Sequence, residues 1–386
     1  MTAGRAAELN DLPDDFIVFG APVITEEDVH AVAETLRSGW LGPGPEVHRF
    51  EEEFKAVVDA PAGVAVSTGT AALHLALLAI GLEPGDEVVT SPITWPASAN
   101  AIVHAGGVPV FADVGEDGNI DLEAVEAVVR ARTRALLPIH LAGLPCDVDG
   151  LVAIGRKHDL TLIQDTAHAI ETRWNGRRLG AFGTAAYSFN PTKNLTTGGG
   201  GMVVSHDQEL LARVALLSQH GVSTNAWSRR MAGNLGRKDM VEPGFNLAMT
   251  DLQASLGRSQ LRRLEERHGR RRQISERYQE LLAEGPVRLL PPPPDQATHA
   301  HHLFLVLAED RNHRDALRAS LFHAGIGTGV HFEPVHLLSW YRERFGYRPG
   351  SLPTAERFGS RTLSLPLSPS LSDRDVERVV RAVTGS

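Results

Sequence analysis

The sequence predicts an α/β protein with a large domain on a mostly parallel sheet and a smaller C-terminal α+β unit. Three observations carry that expectation. From Gly63, short apolar runs alternate with helical patterns, the rhythm of right-handed strand–helix–strand crossovers that cover both faces of a parallel sheet. After Asn246 the alternation stops and a long, increasingly charged helical stretch takes over. Beyond PPPPD at 291–295, strand and helix patterns resume on a smaller scale.

Taken in order, the first residues are polar. Thr25 then caps EEDVHAVAETLRSG, an amphipathic helix stopped by Gly39. Gly42, Pro43, Gly44 and Pro45 mark a loop, and VHRFEEEFKAVV resumes helix. The strand candidates are GVAVS, DEVVTSP, VPVFADV, RALLPIHLAG, LTLIQD, AAYSFN and GGMVVS. Between them lie the helices AALHLALLAIG, ASANAIVHAG, LEAVEAVVRA and VDGLVAIGRKH. The stretch from Thr250 to Gly285 reads as an exposed helix kinked near Gly257 or Gly269. HHLFLVLAE (strand), RDALRASLFHAG (helix), TGVHFEP (strand) and LSDRDVERVVRAV (helix) complete the chain. The expected division is 1–255 for the large domain and 256–386 for the connecting helix and small domain.

A length of 386 residues gives two domains as the natural expectation and ample chain for a core. The net charge of −9 argues against a general nucleic-acid surface while leaving room for a local basic pocket. The single cysteine, Cys146, excludes an internal disulfide and a cysteine metal cluster, so no metal site is expected. The start lacks the apolar run of a signal peptide, and AALHLALLAIGL is too short to span a bilayer. A cytoplasmic protein without a membrane or nucleic-acid partner is the consistent expectation.

The chemistry gathers at strand ends, where open parallel sheets place their ligands. Only four lysines occur; Lys55, Lys157 and Lys238 sit among charged neighbours, whereas Lys193 lies in SFNPTKNLTTGGGG. An amine can be desolvated, deprotonated and made nucleophilic where a guanidinium cannot, so Lys193 reads as a Schiff-base lysine on a glycine turn that lets a cofactor approach. A snorkelling loop lysine is the plainer alternative. Thr68-Gly69-Thr70 joins a strand to a helix, a place to hold phosphate on free N–H groups and a helix dipole, or simply an N-cap. Trp95 would stack on an aromatic cofactor, although taken alone it reads better as a core aromatic. Asp165 could pair with a protonated ring nitrogen or cap the segment TAHAI, and His168 could meet the cofactor ring or oxygen or merely pack. Ser188 offers a second phosphate contact. An aldehyde-reactive amine, an aromatic stacker, a carboxylate and a phosphate cradle are the four handles that pyridoxal 5′-phosphate requires.

STGTAALHLAL, SPITWPASANA, QDTAHAIETRWNGRRLGAFG, YSFNPTKNLTTGGGGMV and PGFNLAMTDLQASLG together resemble the DegT/DnrJ/EryC1/StrS family of pyridoxal-phosphate-dependent sugar aminotransferases. The resemblance implies the fold-type I aminotransferase architecture and a homodimer with active sites at the subunit interface. By residue match it makes Lys193 the Schiff-base lysine and Asp165 the partner of the pyridine nitrogen. Trp95 and His168 would flank the ring, and Gly69, Thr70 and Ser188 would hold the phosphate. Asn246 would reach the phosphate of the neighbouring subunit. The chain departs from the pattern at Gly199 and Gln164, where many relatives carry acids. AGIGTGVHFEPVH and SWYRERFG are similar to members that aminate C4 of 4-keto sugar nucleotides, implying a pyrophosphate contact at Arg229 and a substrate contact at His331. A solvated loop charge and a satisfied strand histidine are their plainer readings. The implied reaction moves an amino group from L-glutamate to C4 of an NDP-4-keto-6-deoxyhexose. The rivals are C3 amination, a sugar dehydratase on the same fold, against which Lys193 itself argues, and a noncatalytic regulator.

Overall fold

The computed structural model describes residues 13, 15–222 and 239–385. Its first strands are β1 (Ala62–Val66), β2 (Glu87–Thr90), β3 (Val108–Phe111), β4 (Thr133–Leu137) and β5 (Thr161–Asp165). A small hairpin, β6 (Arg173–Trp174) and β7 (Arg177–Arg178), precedes β8 (Thr184–Ser188) and β9 (Gly201–Ser205). Seven of these form one sheet in the order β1-β9-β8-β5-β4-β2-β3. Neighbours from β8 through β3 run parallel, while β9 runs antiparallel to both β8 and β1. Since β1 and β8 both oppose β9, the carboxyl ends of β1, β2, β5 and β8 lie along one edge of the sheet. That edge carries the site.

The helices between these strands follow their sequence signals. In α1 (Glu26–Ser38) the Asp28 carboxylate accepts from the Thr25 N–H at 3.0 Å, and Gly39 ends the helix in the left-handed region. α2 (Pro45–Val57) drives Phe50 and Phe54 edge-on against Phe189 and Tyr187 on one sheet face. Each buried phenylalanine contributes ~2–3 kcal/mol of transfer free energy. α3 (Gly69–Ala79) is apolar nearly all round and sits inside the core on the opposite face. There it packs with α4 (Ala97–His104) and α7 (Gln208–Ser218). α5 (Leu122–Val128) and α6 (Val148–His158) complete the layers.

The charged stretch after Asn246 differs from the sequence expectation. It forms two helices, α8 (Asp251–Leu261) and α9 (Leu264–Leu282), broken at Arg262–Arg263 and at neither glycine. A Cβ on Gly257 would stand 2.8 Å from Phe50 Cζ, so this glycine permits close packing of α8 on α2. Nor is the stretch simply exposed. Arg267 and Arg271 are buried, Arg263 pairs with Glu27 and Asp28, and Arg258 pairs with Glu46 and Glu53. The arginines that looked like a solvated face tie α8 and α9 to the first two helices and to the carbonyls of the later chain.

A second core joins Tyr278, Val306, Leu321, Leu363 and Val379. Around it stand β10 (Arg288–Leu289), β12 (Phe304–Leu307), α10 (Arg311–His323), β13 (Thr362–Leu365) and α13 (Asp373–Thr384), while β11 (Ala297–Thr298), α11 (Ser339–Phe345) and α12 (Pro353–Arg361) pack elsewhere. β12 lies between β10 and β13 in a three-stranded antiparallel sheet, and β11 extends the β6–β7 hairpin. TGVHFEP is not a strand. It makes one bridge, Gly329 to Ser364, and then turns away at Pro334. α11, α12 and β13 are elements the sequence reading did not assign. Ile93, Leu141, Phe332, Tyr341 and Phe358 form an apolar cluster shared by the first and last parts of the chain. None of the described helices is long and apolar enough to cross a membrane.

Candidate active site

Lys193 follows β8 on a tight turn in which its N–H donates to the Asn190 carbonyl at 2.9 Å. Its side chain lines a cavity of about 430 Å³ at the carboxyl edge of the sheet. Among the described residues its amine makes no ion pair. Burial pulls that amine down to about 8, against the opposing pull of the Asp165 charge. The glycine run serves a different purpose from the one expected. None of Gly198 to Gly201 lines the cavity; a Cβ on Gly200 would strike Thr197 and one on Gly201 the Thr68 carbonyl. The run lets the turn pack beneath α3.

Asp165 ends β5 inside the same cavity. Ser98 Oγ, on α4, donates to its Oδ2 at 2.7 Å and the Ala167 N–H to its Oδ1 at 3.0 Å. Burial raises its pKa, while those two donors and Lys193 work to lower it. The carboxylate is therefore pinned at both oxygens. His168 also lines the cavity, and its Nδ1 accepts from the Ala142 N–H at 3.3 Å. A ring nitrogen that accepts carries no proton, so in the neutral ring the proton is on Nε2. The ring is kept neutral because burial, then the charge of Lys193, depress its pKa well below the ordinary value.

Gly69 and Thr70 open α3 at the cavity, and Thr68 Oγ1 accepts from the Ala71 N–H at 3.0 Å. The first-turn N–H groups of Gly69 and Thr70 have no acceptor within the helix, as at any helix start. A Cβ on Gly69 would stand 2.5 Å from Ser188 Cβ. The missing side chain thus brings Ser188, also in the cavity lining, against the helix start.

Trp95 overturns its reading as a core aromatic. It is 66% exposed on the loop between β2 and α4, with its ring 6.4 Å from that of Phe332. An indole that lines a cavity and still faces solvent is placed to cover something. His331 lies in the cavity wall, its Nδ1 2.7 Å from Ser364 Oγ and its ring stacked 5.5 Å from Phe19. Burial, then the Lys193 charge, hold it at about 4. Asn246 is exposed and lines no part of this cavity; its backbone bridges to Gln219. Arg229 lies outside the described residues.

At the two departures from the family pattern, Gln164 is buried, donating to the Leu179 and Phe182 carbonyls and facing His140 Nε2 at 3.1 Å. The Gly199 carbonyl accepts from Gln253 Nε2. The sequence reading missed Phe19, Ser98, His302 and Phe332, all in the cavity wall. Ser98 stands three residues from Trp95 in SPITWPASANA, and Phe332 stands beside His331. Phe19 and His302 carried no signal, since only the tertiary fold delivers them.

The sequence profile of the DegT/DnrJ/EryC1/StrS aminotransferase family matches residues 22–384. The chain belongs to that family. It is 44% identical over 375 residues to the spore coat polysaccharide biosynthesis protein SpsC of Bacillus subtilis, covering 95% of this chain and 96% of that one. A putative sugar aminotransferase from Streptococcus pneumoniae superposes with a TM-score of 0.90 at 30% identity, covering 96% and 97% of the two chains. DesV from S. venezuelae, solved in complex with a ketimine intermediate, superposes with a TM-score of 0.86 at 37% identity over 93% of this chain and 94% of that one. The protein is a sugar aminotransferase of the fold its sequence predicted.

Its cofactor is pyridoxal phosphate; the pneumococcal protein has been solved in both PLP and PMP forms. The residues present fit that group. An amine of lowered basicity, a pinned carboxylate, a neutral imidazole N–H and a helix start beside a serine hydroxyl converge on one cavity.

Proposed function

We propose that this aminotransferase moves an amino group from L-glutamate to C4 of an NDP-4-keto-6-deoxyhexose. The observation that carries the reading is one cavity shared by Lys193, Asp165 and the His331–Phe332 pair, which belongs to the stretch similar to C4-aminating enzymes. When bound, pyridoxal phosphate supplies the electron-accepting ring through which an amino acid gives up its nitrogen and a ketone receives it.

The chain's own groups have separable tasks in this proposal. Lys193, its amine near pKa 8, is half unprotonated at mildly basic pH and takes and returns the proton at the substrate carbon. Asp165, pinned by Ser98 and Ala167, holds a proton on the pyridine nitrogen. Gly69, Thr70 and Ser188 hold the phosphate, His168 offers its Nε2–H, and Trp95 covers the ring. Neutral His331 meets the sugar and Arg229 the pyrophosphate. In this reading residues 1–255 and 256–386 are two domains that both wall the cavity. Two copies form a homodimer in the cytoplasm, with the exposed Asn246 of each completing the phosphate site of the other.

The test offers 4-keto and 3-keto sugar nucleotides separately with glutamate and locates the new C–N bond by NMR. Amination at C4 is expected, with the other ketone at least ~100-fold slower because it is misoriented over the site. Turnover of the 3-keto substrate alone would contradict the C4 assignment and leave the aminotransferase standing.

A further inference from the structure

Beneath the Lys193 turn lies a buried polar chain that the tasks above do not use. Asn194 Nδ2 donates to Glu171 Oε2 at 2.9 Å and to the Ala300 carbonyl at 3.0 Å. A backbone carbonyl can only accept, so the amide nitrogen must face Ala300 and the amide oxygen the other way. That oxygen stands 3.1 Å from His302 Nδ1. An amide oxygen cannot donate, hence the proton between them belongs to the imidazole. His302 is thereby fixed with its proton on Nδ1 and a bare lone pair on Nε2.

His302 lines the active-site cavity, and its Nε2 has no partner among the described residues. Its ring packs 4.4 Å from that of His168. The two neighbouring imidazoles, tilted 35° to one another, carry opposite tautomers. The Ala142 N–H leaves His168 a donor to the cavity, and Asn194 leaves His302 an acceptor. The other ionisable groups that face Lys193 are Asp165, His168 and His331; both of those imidazoles are held neutral, as His302 is, by burial before any other cause.

We propose that His302 is a further active-site residue, locked by Asn194 and Glu171 as the Nδ1–H tautomer so that its Nε2 accepts a proton-bearing contact from the Lys193 amine. The proposal rests on the reading of Lys193 as the cofactor lysine. Its task is to stabilise the ammonium whenever Lys193 has taken a proton, without becoming charged itself. A neutral acceptor does this where a second carboxylate would compete with Asp165 for the pyridine proton.

The test uses full-length protein, uniformly labelled with ¹⁵N-histidine and stripped of cofactor with hydroxylamine, so that the Lys193 amine is free. Long-range ¹H–¹⁵N spectra, assigned by the resonance lost in His302→Gln, should show a protonated Nδ1 in the parent and a changed tautomer in Asn194→Leu. An Nε2–H tautomer in the parent, or no change in Asn194→Leu, overturns the lock. The second readout is the pH dependence of Lys193 carbamylation by cyanate, mapped by mass spectrometry. Loss of an acceptor for a charged donor in His302→Leu should lower the Lys193 midpoint by about one pH unit, and His302→Gln, which keeps an acceptor oxygen, should restore it. Equal midpoints in all three proteins overturn the contact. Neither readout depends on turnover, so they remain distinct from borohydride mapping of the cofactor lysine, whose failure would remove the functional reading instead.

Discussion

Glu171 shows what burial does to one side chain next to the site. Desolvation pushes its carboxyl up to about 7, although Asn194, Arg271 and Arg178 all favour the charged form. Its Oε1 has no hydrogen-bond partner, which fits a group held close to neutrality. The sign of the consequence follows from proton uptake. Between the ordinary carboxyl value near 4.5 and about 7, the folded chain binds the proton and the unfolded chain does not. Stability from this group is complete below that window and is lost as the pH rises through it. Glu171→Gln, which cannot ionise, should therefore gain on the parent by as much as about 3 kcal/mol between pH 4.5 and pH 7.5. Denaturant unfolding of both proteins at the two pH values measures the difference, and a gain in the opposite direction would contradict the burial account. Lys193 illustrates the same physics with the other charge, since burial lowers rather than raises it.

The elements that were legible in the sequence are those whose periodicity is decided locally. Every strand of the central sheet, and the helices between them, appeared as apolar runs punctuated by glycine, proline or a capping residue. RALLPIHLAG stopped early because Pro138 has no N–H to continue β4, and residues 141–143 turn instead. The α8–α9 break was missed because ion pairs and buried arginines, invisible to a local pattern, override the glycines. TGVHFEP had the composition of a strand, yet its backbone pairs only once. At the site, motif residues were readable at strand ends, whereas His302 and Phe19 arrive from distant chain. The α3–β8 junction supplies the test at this scale. Gly69→Ala places a Cβ 2.8 Å from Ser188 Oγ and 2.5 Å from its Cβ. Overpacking of this kind costs ~1–3 kcal/mol and should weaken cofactor binding, read by thermal unfolding and by PLP titration. Adding Ser188→Gly should recover stability while leaving PLP affinity low, because the hydroxyl proposed to hold the phosphate is gone. Recovery of both would remove Ser188 from the phosphate site.

For the whole molecule, the proposed sharing of sites between copies makes a distinctive demand. Asn246 is exposed and lines no part of its own chain's cavity. Lys193→Ala and Asn246→Ala proteins should each be inactive or strongly impaired. Mixed dimers should then regain up to half the parental activity per dimer, from one intact site, and no recovery despite proven subunit exchange would count against sharing. All of this depends on which amine carries the cofactor. Borohydride reduction of the holoenzyme followed by peptide mapping answers that directly. One pyridoxyl group per chain, on Lys193, is the predicted result; a label on Lys55, Lys157 or Lys238, with Lys193 unmodified, would contradict the account.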